Sequence, residues 1–146
     1  MIVWEPTSGS IWKPVNSKEV QSKGVELSLN LERIAQAQKK ITIATNYSYT
    51  NAINNTSNNL ENSVKGKQLI YTPEHTFNLN IQGSSKNFFL GGKYNLIGKR
   101  FIYSDNSWYL PAYEVIDGMM GYSWKIKNYI FQFLFYFIKS LFYFKK

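Results

Sequence analysis

One imidazole, no thiol and nine carboxylates are the reactive groups this chain carries. The single histidine, His75, excludes any site that needs two imidazoles, and the absence of cysteine removes disulfides and thiolate metal sites. No Ser/His/Asp set, paired-carboxylate pocket, glycine-rich phosphate loop or metal-ligand spacing occurs, so acid–base and covalent catalysis lack their usual parts. The expectation is a protein that is not an enzyme and holds no cofactor or metal. What remains is binding chemistry. Lys99 and Arg100 stand just before "IYSDNS", where a basic pair could meet an anionic ligand or a lipid phosphate, or serve as an interfacial anchor. Trp12, Trp108 and Tyr109 could stack on a ligand, although an aromatic belt at a membrane surface explains them too. Asp117 and Glu26 fall on polar strand faces, and His75 reads as a strand-opening residue.

The elements that must position these residues are legible in outline. At 146 residues the chain is long enough for one domain with a sizeable core. Apolar content is ordinary at 44%, but 17% of residues are aromatic, a level that fits strands and membrane interfaces better than helical bundles. The net charge of +8 comes from lysines scattered singly, without the basic run of a nucleic-acid tail, so no nucleic-acid partner is expected. The start, "MIVWEPTSGS", has neither a basic n-region nor a long apolar h-region, so no signal peptide is visible in this chain.

Strict alternation marks the strands. In "GVELSLNLERI", Val25, Leu27, Leu29 and Leu31 oppose Glu26, Ser28, Asn30 and Glu32. After the turn "AQAQ", Ile41, Ile43, Thr45, Tyr47 and Tyr49 oppose Thr42, Ala44, Asn46, Ser48 and Thr50. A polar stretch follows, and then "HTFNLNIQG" sets Phe77, Leu79 and Ile81 against Thr76, Asn78, Asn80 and Gln82. "FFLGGKYNLIGKRF" sets Phe88, Leu90, Tyr94 and Leu96 against Gly91, Lys93 and Asn95. "YEVIDGMMGYSWKI" alternates less cleanly, because Glu114 shares a parity with Ile116.

The connections alternate too: long before Gly24, short at Ala35 to Gln38, long at Asn54 to Thr72, short at Ser84 to Asn87, long at Ile102 to Leu110, short near Lys127. Long loops at one end and tight turns at the other, with one face polar and one apolar, predict an all-β antiparallel up-and-down meander forming a segment of a transmembrane β-barrel. Alternating strands also build soluble sheets with one wet face, so a soluble ligand-binding module using Trp and Tyr, and a membrane-anchored structural protein, stand as alternatives.

Against this strand map, "SKGVELSL", "LIYTPEHTFNLNI" and "YNLIGKRFIYSDNSWYLPAYEVIDGMMGYSW", in this order and spacing, together resemble the C-terminal barrel strands of TonB-dependent outer-membrane receptors. In that family Gly-Val-Glu or Gly-Ile-Glu opens a strand after a basic residue, as Lys23, Gly24, Val25 and Glu26 do here, and "WKPVN" (Trp12 to Asn16) resembles the loop before it. "LIYTPEHTFNLNI" is similar to a strand opening that places Leu69, Tyr71, Pro73 and His75. Tyr94, Gly98, Arg100, Asp105, Asn106, Leu110, Pro111, Tyr113, Asp117 and Tyr122 resemble the markers that follow. The resemblance spans roughly residues 12–127 and implies a barrel of about 22 strands with a plug in its lumen. It implies uptake of a bulky scarce nutrient (an iron-siderophore complex, haem, cobalamin or a glycan) at the outer membrane of a Gram-negative bacterium. Outer-membrane lipid surrounds such a barrel, and TonB and the plug are partners in the full-length receptor. The long loops would be extracellular and the short turns periplasmic, which makes Trp12, Asn16, Lys99, Arg100, Asp105, Asn106, Trp108 and Tyr109 the loop candidates for ligand contact.

Two segments are expected. Residues 1–127 read as a partial barrel of about six strands, a receptor fragment not competent for transport alone. Residues 128–146 read as an aromatic-rich tail, either a strand or an out-of-frame extension. "YIFQFLFYFI" is too short for a spanning helix, which needs about twenty apolar residues, and it offers only Gln132 to a polar face.

Overall fold

The computed structural model describes residues 3–7, 11–15, 19–35, 39–55, 65–127 and 129–142. Their regular structure is all strand: β1 (Val3–Thr7), β2 (Ile11–Val15), β3 (Val20–Ala35), β4 (Lys39–Asn54), β5 (His75–Ser85), β6 (Phe88–Ile97), β7 (Arg100–Phe101), β8 (Tyr109–Leu110), β9 (Tyr113–Ile126) and β10 (Tyr129–Phe142). Six of them form one antiparallel sheet in the order β10-β9-β6-β5-β4-β3. β1–β2 and β7–β8 are separate two-stranded ribbons. The sheet is the all-β, antiparallel, up-and-down meander that alternation predicts, and it is open rather than closed.

The register carries the alternation from strand to strand, because directly paired residues share a face. Leu27 faces Tyr47, which faces Phe77, which faces Leu96. On the opposite face Ser28, Asn46, Asn78 and Asn95 line up across four strands. Across β3, β4 and β5 one face is therefore apolar and the other carries amides and hydroxyls, and in β6 and β9 the polar face also admits Phe89, Val115 and Met119. The apolar face stays uncovered: Leu27 is 63% exposed and Phe133 64%. Among the described residues the buried hydrophobic one is Ala52 and the buried polar ones are Asn54 and Gln68, all at one end of the sheet. Among the described residues nothing covers this apolar face. Each large side chain on it contributes about 1.5–3 kcal/mol once removed from water, so lipid is its natural medium.

All the tight turns lie at one end. Ser85 pairs with Phe88 across Lys86 and Asn87, and Ile126 pairs with Tyr129 across two residues. Two-residue hairpins need positive φ, and Lys86 (φ 48°) and Lys127 (φ 53°) supply it. Ala35 pairs with Lys39 across three residues outside the described set. Residue 55 with 65–74 of one long connection, and 98–112, the other, stand at the opposite end, called the outer end below.

Strand boundaries differ from the sequence pattern at that end. β3 begins four residues before Gly24, at Val20, because Val20 to Lys23 pair with Asn51 to Asn54 and lengthen the ribbon beyond the start of β5. β6 stops at Ile97 rather than running to Phe101, and Arg100–Phe101 turns away to pair with Tyr109–Leu110. Tyr129–Phe142 continues the sheet as β10, paired with all of β9. No described helix is long and apolar enough to cross a membrane.

Candidate functional site

The outer end gathers most of the residues singled out in the sequence. The extended β3–β4 ribbon provides a floor there, and residues 65–72 lie against it. Gln68 bridges to Ile53, and Leu69 N–H donates to the Ala52 carbonyl at 2.7 Å. The Gln68 side chain, 6% exposed overall, accepts from Ala52 N–H at 3.0 Å and donates to the Thr50 and Thr72 carbonyls at 3.2 and 3.4 Å. A buried amide with no such partners would be strongly unfavourable. Here both of its ends are used.

The second connection meets the first at the same place. Asn106 Oδ1 accepts Gln68 N–H at 2.9 Å, and Asn106 Nδ2 donates to the Gln68 carbonyl at 2.9 Å. The side chain thus imitates a neighbouring strand. Tyr71 N–H donates to the Phe101 carbonyl at 2.8 Å, a second crossing between the connections. Asn106 (φ 60°) and Tyr71 (φ 57°) both adopt the left-handed conformation. Asp105 caps its own turn, its Oδ1 accepting Ser107 N–H at 3.0 Å and Ser107 O–H at 2.7 Å. Those two bonds hold the Asp105 carboxyl below its ordinary pKa of 3.8, with Lys67 adding a favourable charge.

The remaining candidates point outward or stack. Arg100 lies over the Tyr113 ring, Cζ 5.0 Å from the centroid, and Lys99 Nζ lies 5.3 Å from the Phe101 centroid, both in cation–π range. Arg100 Nε is buried without a hydrogen-bond partner. Tyr109 meets Phe101 edge-on at 6.5 Å, and Trp108 is 67% exposed. Trp12 sits in β2, paired through its backbone with Pro6. Asn16 lies outside the described residues.

The marker residues have structural roles here. Gly98 passes so close to β5 that a Cβ would stand 2.8 Å from the His75 carbonyl, and its N–H donates to that carbonyl at 2.8 Å. A Cβ on Gly24 would stand 2.5 Å from the Tyr49 carbonyl. His75 opens β5, hydrogen-bonded to the Tyr47 hydroxyl at 2.8 Å and packed against the Tyr49 ring at 5.2 Å. Pro73 and Pro111 each stand two residues ahead of a strand, where a missing N–H breaks no ladder. Glu26 and Asp117 are apart from the rim on the polar face, opposite Ser48 and Lys93.

Among the described residues no three of His, Cys, Asp and Glu gather where they could hold a metal ion. Gln68, which organises the outer end, escaped the sequence reading. Its only local signal is a place beside Leu69 and Tyr71, and its partners are set by the fold. Residues 1–137 match the protein-family model described as TonB dependent receptor-like, beta-barrel. No curated protein matches the chain.

Proposed function

The chain belongs to the TonB-dependent receptor β-barrel family, and from that premise we propose that it forms part of the wall and outer rim of an outer-membrane receptor taking up a bulky, scarce nutrient. The family is one of transporters rather than enzymes, and its barrels lie in the outer membrane, drawing on TonB in full-length receptors. The observation that carries the reading is the two-faced sheet. A continuous apolar face, with Leu27, Leu29 and Leu31 more than half exposed, backs onto an amide-rich polar face. Lipid suits the first and a wet lumen the second.

In this reading the long connections face the outside and contact an iron-siderophore complex, haem, cobalamin or a glycan. Trp108, Tyr109, Lys99 and Arg100 are the contact candidates. Asp105 stays with them, since the turn uses only its Oδ1, whereas Asn106 leaves that set because its amide is bonded at both ends to the Gln68 backbone. Transport requires more wall than six strands. β3 and β10 each have one edge with no strand paired to it among the described residues, and lipid cannot satisfy those N–H and C=O groups. Reconstituted alone in liposomes, the chain should form no heat-resistant closed barrel and pass no solute. Either behaviour would overturn the reading. Aggregation without detergent is also expected, and a stable detergent-free monomer would favour the soluble sheet module instead.

The tail is read as the sixth strand of the wall. One feature favours the other reading, an out-of-frame extension beginning near residues 128–135. The polar-face positions of β10 include Ile130, Leu134 and Tyr136, whereas the same face of β4 and β5 carries Asn46, Ser48, Thr76 and Asn78. Sequencing the DNA across those codons decides it. A neighbouring frame with no alternating strand and aromatic terminus removes the out-of-frame reading.

A further inference from the structure

The two outer connections touch through Asn106, whose amide is used at both ends on the backbone of a residue 38 positions away. Its own backbone is fixed as well, with N–H donating to the Tyr103 carbonyl at 3.0 Å in a left-handed turn. Gln68 transmits the contact to the sheet, through Ala52 N–H and the Thr50 and Thr72 carbonyls. On the far side of the same turn, Ile102 N–H donates to the Trp108 carbonyl at 3.0 Å, so the turn that presents Asn106 also sets Trp108.

We propose that residues 65–72 and 100–110 form one mechanical unit, latched by Asn106 onto the Gln68 backbone. Asn106 is then a positioning residue: it aims the exposed Trp108 and Tyr109 without offering its own amide to a ligand. The coupling stands on the hydrogen bonds alone. It rests on the proposed function only in taking this surface as outward-facing. A consequence is that a ligand gripping one connection restrains the other, with no contact between the ligand and Asn106.

The chain has no native cysteine, so Lys67→Cys with Tyr103→Cys can be spin-labelled without background. In detergent micelles a single narrow label–label distance is expected. Asn106→Ala should broaden it and raise amide exchange in both 65–72 and 102–108, by roughly ten- to a hundredfold for two lost hydrogen bonds. Gln68→Ala should loosen 102–108 too, although it leaves the Asn106 side chain intact. Faster exchange confined to 102–108 in Asn106→Ala overturns the proposal. If that variant does not fold, the unaltered chain still decides: the Gln68 and Leu69 amides should open together with those of Ile102 and Asn106, and independent opening overturns the latch. Loss of protection in β4 and β5 as well would count against the wall reading rather than the latch.

Discussion

Tyr47 reaches diagonally across the β4–β5 ladder to His75, hydroxyl to Nδ1 at 2.8 Å, while Tyr49, the direct register partner of His75, packs its ring 5.2 Å from the imidazole. The pair stands on the apolar face near the outer end, where an amphipathic ring meets both lipid and headgroup. At the opposite end Trp124 stacks on Phe131 at 5.6 Å. The two clusters bracket the apolar band between them.

Tyr47→Phe keeps the ring and removes the hydroxyl. In detergent micelles it should lower stability by about 0.5–1 kcal/mol, one partly exposed hydrogen bond. Urea unfolding measures it, and an unchanged midpoint would mean that stacking alone holds His75.

The faces can be tested by charge. Within a complete receptor barrel that contains this segment, Leu29→Arg, on the apolar face, should weaken folding into bilayers by about 2–4 kcal/mol. Asn78→Lys, on the polar face of β5, should fold nearly as the parent chain does. The opposite ranking in a vesicle-folding titration would mean that the sheet is inside out.

Glycine replacements should separate by space. Gly24→Ala and Gly98→Ala push a methyl into a neighbouring carbonyl and should destabilise by about 1–3 kcal/mol. A Cβ on Gly92 meets nothing nearer than 3.8 Å, so Gly92→Ala should be close to neutral. Equal losses at all three positions in thermal unfolding would contradict the register.

Asp105 makes the outer turn acid-sensitive. Its folded pKa lies below the unfolded 3.8, so its contribution is full above the unfolded value and is lost as pH falls through the folded one. Exchange of the Ser107 amide should therefore rise, relative to its intrinsic rate, only below about pH 4. Asp105→Asn should abolish that dependence.

Gln68→Leu strands the buried Ala52 N–H and should lower stability by about 1–3 kcal/mol. The same replacement at exposed Gln82, on the polar face of β5, should be nearly silent, as paired melting curves would report.

Much of the wall was legible in the residues themselves. Val25 to Leu31 and Ile41 to Tyr49 announce their strands because side-chain direction repeats every two residues, a local rule that needs no distant partner. The alternation of long and short connections likewise revealed the meander and its two ends. The tail resisted, since "YIFQFLFYFI" is apolar at both parities and alternation gives no direction there; only pairing with β9 orders it as a strand. The rim was hidden for a different reason. Nothing near Gln68 signals that its amide will close on residues 16 and 18 positions back, or that Asn106 will reach it from 38 positions on. Likewise Arg100 reads as a charge in a loop until β7 folds it over Tyr113. Facing, strand order and family motifs follow from neighbours along the chain. The sharing of hydrogen bonds between two connections is a long-range competition for buried partners, and only the folded arrangement resolves it.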